Sequence, residues 1–219
     1  MPVIPPVSFD EVVESAQTGD VLLFHGTSPI SQAVEVVTMG YYSHAAMIVR
    51  DEALGGLLLW QTDDAGIAED PFTHSTHAGA QLGTFETELG VILAYGDFPY
   101  YRRLCCERTP AFHDTIRRFI EASEGMGFGT PAEMLFNWLA ARLGRRTVPK
   151  DEVFCSELLT MTYQAVGLVG DEHPPDWYSP NSWAAATQEV VLAAGASLEV
   201  DVAIDPSTIP VPPKAAPTA

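Results

Sequence analysis

Apolar residues fall along this chain in short runs broken by Gly, Pro, Asp and Thr, the punctuation of strands and short helices. An extended arm, residues 1–8, precedes a helical pattern from Phe9 to Ala16. Thr18, Gly19 and Asp20 turn into a strand, Val21 to Phe24. Ser28 then Pro29 is a helix start, a capping hydroxyl followed by a residue whose missing N–H is no loss there. Ile30, Ala33, Val34 and Val37 share one face of that helix, and Gly40 ends it. Tyr41 to Arg50 reads as a strand, with Leu57 to Gln61 as its hairpin partner across Gly55 and Gly56. Residues 62–90, rich in Thr, Gly, Ala and acids, read as an irregular excursion. Val91 to Tyr95 and Tyr100 to Cys105 are further strands, and Pro110 to Ser123 is a helix with Phe112, Ile116, Phe119 and Ile120 inward. After a glycine-containing loop, 125–130, come helices over Pro131 to Leu143 and Cys155 to Val166. Strands and helices do not alternate regularly, which predicts an α+β fold with an antiparallel sheet. Residues 1–17 form an arm and short helix, 18–204 a single domain, and 205–219 a Pro/Ala-rich tail expected to be disordered.

Apolar residues are 47% of the 219, enough for a full core. No apolar run approaches the roughly 20 residues of a membrane helix, so no stable membrane insertion is expected. No basic segment followed by an apolar stretch opens the chain, and the expected location is cytoplasmic. The net charge is −18, from 11 basic and 29 acidic side chains. A field of that sign repels phosphate backbones, so nucleic acid is not an expected partner.

Three cysteines, Cys105, Cys106 and Cys155, make no disulfide framework. Cys155 stands where a short apolar segment meets a helix, where the helix dipole and free N–H groups favour a thiolate. Its own N–H faces an oxyanion formed on a substrate. His44, in a segment whose following residues are apolar, is the natural base. A third group should hold the imidazole. Gln61 is the first polar residue of the neighbouring strand, and Asp63 and Asp64 on the loop beyond are alternatives. Tyr42, two residues before His44, is a candidate oxyanion donor by strand alternation, and His25 a candidate substrate contact. Trp177, Tyr178 and Trp183 are candidates for a groove wall, whereas Glu157, two past the cysteine on a helix, points away. His74 and His77, with Asp70 nearby, have the spacing of a metal pair, but they fall in a loop-like segment and no metal or organic cofactor is expected.

Gly-Asp-Val-Leu-Leu-Phe (19–24), Tyr-Tyr-Ser-His-Ala-Ala-Met-Ile (41–48), Met-Gly-Phe-Gly-Thr-Pro (126–131) and Phe-Cys-Ser-Glu-Leu (154–158), in this order, resemble the circularly permuted branch of the NlpC-like cysteine peptidase superfamily. The resemblance is nearest to YiiX-like amidases and more distant to lecithin:retinol acyltransferase-like proteins. In that branch the histidine strand precedes the cysteine helix. The resemblance implies a permuted papain-like fold and a thiol hydrolase or acyltransferase acting through an acyl-enzyme on a peptide-like amide or an ester. It leaves two rivals: a lipid acyltransferase or phospholipase-like enzyme, and an inactive binding module that keeps the cleft. The family often has a carboxylate or histidine where Gln61 stands. A neutral amide orients the imidazole but stabilises its cation less.

Overall fold

The computed structural model describes residues 4–38, 40–63, 66, 68–144 and 152–210. In chain order the elements are α1 (Phe9–Ser15), β1 (Val21–Gly26), α2 (Pro29–Val37), β2 (His44–Asp51), β3 (Gly56–Asp63), β4 (Gly79–Thr84), α3 (Phe85–Ala94), β5 (Asp97–Arg102), β6 (Leu104–Cys105), α4 (Pro110–Ser123), β7 (Gly127–Phe128), α5 (Pro131–Arg142), β8 (Glu152–Val153), α6 (Cys155–Ala165), β9 (Ser197–Leu198) and β10 (Val202–Ala203). Six strands form one antiparallel sheet in the order β10-β5-β1-β2-β3-β4. This is the α+β fold that the element order predicts.

The sheet is buried on both faces, which is why its central strands are continuous apolar runs. Val21, Leu23, Met47, Leu58 and Trp60 face α4 and α6, meeting Ile116, Ile120, Leu158, Leu159 and Tyr163. Leu22, Phe24, Ile48 and Leu59 face α1 and α3, meeting Phe9, Val12, Phe85 and Leu89. Asp20, fully buried ahead of β1, accepts from Gln17 N, Leu104 N, the Tyr101 hydroxyl and Arg108 Nη2. The acid of the Gly-Asp-Val-Leu-Leu-Phe segment is therefore a structural anchor.

Several boundaries differ from the sequence reading. Residues 62–90 are not wholly irregular, since Gly79–Thr84 completes the sheet as its edge strand. Val91 to Tyr95 is the end and C-cap of helix α3, not a strand. The second strand begins at His44 and not at Tyr41. Residues 205–210, assigned above to the tail, are ordered: Asp205 N donates to Val7 O, Pro206–Thr208 is a 3-10 turn, and Ile209 is buried. Residues 211–219 lie outside the described residues. Among the described residues, no helix is long and apolar enough to cross a membrane.

Candidate active site

Phe154 has extended backbone and Cys155 opens α6, so the thiol sits in the first turn of an 11-residue helix. Glu157 caps that turn by accepting from Phe154 N at 3.3 Å, a role that keeps it away from the sulfur. First-turn N–H groups lack intrahelical partners. That of Ser156 is one of two backbone groups that stabilise the Cys155 thiolate, and Ala45, next to His44 on β2, supplies the other.

His44 hydrogen-bonds Cys155 on one side and Gln61 on the other. The Gln61 contact is Nε2 to Oε1 at 3.0 Å, which leaves Nδ1 as the nitrogen for the sulfur. Continuing the β2–β3 register by one pair sets Gln61 opposite Ala46, a diagonal neighbour of His44 on the same face. The amide has one orientation open to it, because Gln61 Nε2 donates to Glu88 Oε2 at 2.7 Å. Oε1 must then accept from His44, and the Nε2 proton stays on the ring while Nδ1 exchanges with the thiol. Phe24, with its ring centroid 5.3 Å from the imidazole, supplies an apolar flank.

Burial pushes both charged forms toward neutrality, yet the pair resists it. Burial lowers the His44 pKa, but the Cys155 thiolate, its hydrogen bond, Gln61 and the charge of Asp97 outweigh this and raise it to about 9. Burial raises the Cys155 pKa, but the His44 charge and hydrogen bond and the two backbone N–H groups bring it below the ordinary thiol value. Opposite shifts of this kind favour a thiolate–imidazolium pair. Cys155 is buried, with 5% of its surface exposed.

The other candidates take different places. Tyr42 is buried and its hydroxyl donates to Asp201 Oδ2 at 3.1 Å. The alternation argument that put it beside His44 fails because the strand starts at His44. His25 turns toward α2, with Nδ1 at 2.9 Å from Glu35 Oε1 and 3.0 Å from Tyr41 O, and its ring stacks on Tyr41. Asp63 accepts from Gln81 Nε2 at 3.0 Å, while Gln61 meets the imidazole. Asp64 lies outside the described residues. Trp183 is fully buried in the core against Tyr163, whereas Trp177 stacks on His173 and lies beneath the Arg142 guanidinium. Cys105 is exposed, Cys106 half-buried.

Two contributors were not visible in the sequence. Glu88 is buried on α3, and burial followed by the charge of Asp63 raises its pKa to about 7. A Cβ at Gly83, on the edge strand, would come within 2.1 Å of Glu88 Oε1, so that position must be glycine for the carboxyl to reach Gln61. A glycine inside a strand is the sequence signal for such close approach. Asn181 is the second. Its Oδ1 accepts from Tyr42 N at 2.7 Å, and its Nδ2 donates to Tyr42 O and to Thr38 Oγ1. It clamps the link between α2 and the histidine strand. Gly40 makes room for it, since a Cβ there would fall 2.0 Å from Asn181 Cγ.

No family model and no curated protein matches the chain. Among solved structures, it is similar to the metalloprotein yiiX from Escherichia coli O157:H7, with a TM-score of 0.50, over 84% of this chain and 96% of that one. The fold is yiiX-like. At 16% sequence identity the likeness to yiiX carries the fold and no activity. It agrees with an α+β architecture built on an antiparallel sheet.

Proposed function

We propose that the chain is a cysteine-dependent hydrolase or acyltransferase of the permuted papain-like type, acting on amide or ester carbonyls. The observation that supports this reading is the buried Cys155–His44 pair, with shifts in opposite directions and a third side chain fixing the ring. In this mechanism the Cys155 thiolate attacks the carbonyl carbon, and the resulting oxyanion takes hydrogen bonds from N–H groups at the start of α6. His44 gives its Nδ1 proton to the leaving amine or alkoxide, and an S-acyl enzyme remains. His44 then takes a proton from water or another acceptor, which attacks the thioester and releases the thiolate.

Peptide-like amides are the leading substrate class. One observation favours acyl lipids as a second reading: α5 exposes Leu135, Phe136 and Leu139, with Leu143 just beyond, and it touches α2, where Val36 is exposed. A series of p-nitrophenyl esters of increasing acyl length, set against peptide anilides, separates the two readings.

The test of the activity itself is intact-protein mass spectrometry during turnover of those substrates. An acyl adduct on Cys155, absent in Cys155→Ser, is expected. Brief iodoacetamide labelling at pH 6 should also modify Cys155 ahead of the exposed Cys105. Preferential labelling of Cys105, together with no turnover of any ester or anilide, would reduce the dyad to a packing feature.

A further inference from the structure

Away from the dyad, the loop before β4 and the C-terminal end of α4 bring Asp70, His77 and Glu124 together. One ligand atom from each lies within 4.8 Å of the others. Asp70 is fully buried and held in place: Oδ1 accepts from Phe72 N at 2.6 Å and Thr73 N at 3.1 Å, and Oδ2 from Leu82 N at 2.7 Å. Three N–H donors leave it lone pairs to spare. The Glu124 side chain is 8% exposed, both its oxygens are closed to solvent, and its carboxyl lies within hydrogen-bonding reach of Asp70. His77 Nε2 stands 2.9 Å from Glu124 Oε1, outside hydrogen-bond direction.

Two buried carboxyl groups in contact repel each other when both are ionised, and burial has taken the water from Glu124. A single imidazolium would offset one charge. A dication offsets both and uses the imidazole as a neutral ligand. We infer that Asp70, His77 and Glu124 bind one divalent transition-metal ion, of which zinc is the best fit. One nitrogen and two carboxylate donors, with water as fourth ligand, suit zinc, whereas calcium and magnesium favour sets made of oxygen alone. His74 takes no part: it is 80% exposed, and its nearest acid is Glu69 at 3.7 Å.

The ion's role is structural. Beside the cluster, Ala80 N donates to Met126 O and Gly125 N to Ala80 O, fastening the edge strand to the chain that enters β7. β7 pairs in parallel with β8, and β8 runs through Phe154 into Cys155. An ion at Asp70, His77 and Glu124 would brace that frame from behind, and its binding can be measured without reference to turnover.

The experiment titrates Zn2+ into chelator-stripped full-length protein against a chromophoric chelator, with elemental analysis and thermal melts. One ion per chain is expected, with Tm raised by roughly 5–10 °C at a hundredfold excess over Kd. His77→Ala and Glu124→Gln should each weaken binding at least about tenfold, and His74→Ala should leave it unchanged. Wild-type protein loaded with Co2+ gives a readout that needs no mutant to fold: d–d bands without a sulfur-to-cobalt charge-transfer band. No ion bound, affinity unaltered in His77→Ala, or a thiolate charge-transfer band placing the metal on a cysteine would each overturn the inference.

Discussion

Between the lowered thiol of Cys155 and the raised imidazolium of His44 lies the pH range in which both partners are charged. The thiolate is present above the Cys155 pKa, and the imidazolium is lost as pH rises through about 9. The kcat/KM profile should therefore be a bell, with an acid limb below the ordinary thiol range and an alkaline limb near pH 9. Gln61→Ala should reduce kcat by about 10- to 100-fold with a small change in KM, because it frees the ring without touching substrate. Gln61→Glu should move the alkaline limb upward by adding a charge beside the imidazolium. Glu88 gives a stability prediction at the same scale. Its folded pKa of about 7 lies above the ordinary glutamate value of 4.5, so the unfolded chain loses this proton first and stability falls as pH rises between the two. Glu88→Gln, which can still accept from Gln61, should be more stable than the native protein at pH 8, by at most about 3 kcal/mol, and no more stable below pH 4. Urea unfolding at the two pH values measures the difference. Cys155, His44 and Gln61 were legible because each is a polar or reactive residue set in an apolar context. Glu88 was not, because an acid in a helix first turn is ordinary, and only the sheet laid against it makes it buried.

At the level of elements, α3 and β4 hold the glutamate under Gln61 through one close contact. Gly83→Ala should destabilise the protein by roughly 2 kcal/mol, and far less in a Glu88→Ala background, where the clash is gone. A double-mutant cycle of unfolding free energies checks this coupling. Asn181→Ala removes three hydrogen bonds, the two to Tyr42 buried and the one to Thr38 partly so. It should cost about 2–3 kcal/mol and lower kcat by loosening the approach to His44. Pro110–Ser123 matched the sequence reading closely, because one-sided apolar spacing marks its inner face, and Cys155–Ala165 matched it to within one residue. Val91 to Tyr95 was misread for the opposite reason. Its run of Val, Ile, Leu, Ala and Tyr has no polar face, and short apolar runs look alike as strand or helix. Gly79–Thr84 was missed because Gly, Ala, Gln and Thr form a weak strand alone and enter the sheet through pairing with β3.

For the whole molecule, a net charge of −18 means self-repulsion in the compact state. Stability should rise with ionic strength from about 10 to 150 mM as the Debye length shortens from roughly 30 to 8 Å, which thermal melts in NaCl would show. A flat response would mean that the surface charges are already paired. Short apolar runs, caps and turns were enough, from the sequence alone, to determine the α+β class, the order of histidine before cysteine, and the helix that carries Cys155, because these depend on contacts only a few residues long. The tertiary structure alone decided what those residues meet. It brought together His44 and Cys155, 111 positions apart (155 − 44), turned Tyr42 and His25 away, set Glu88 beneath Gln61, and gathered Asp70, His77 and Glu124. Side-chain meetings at such separations follow from strand register and from which face of the sheet each helix covers, and neither is written in any local stretch of the chain.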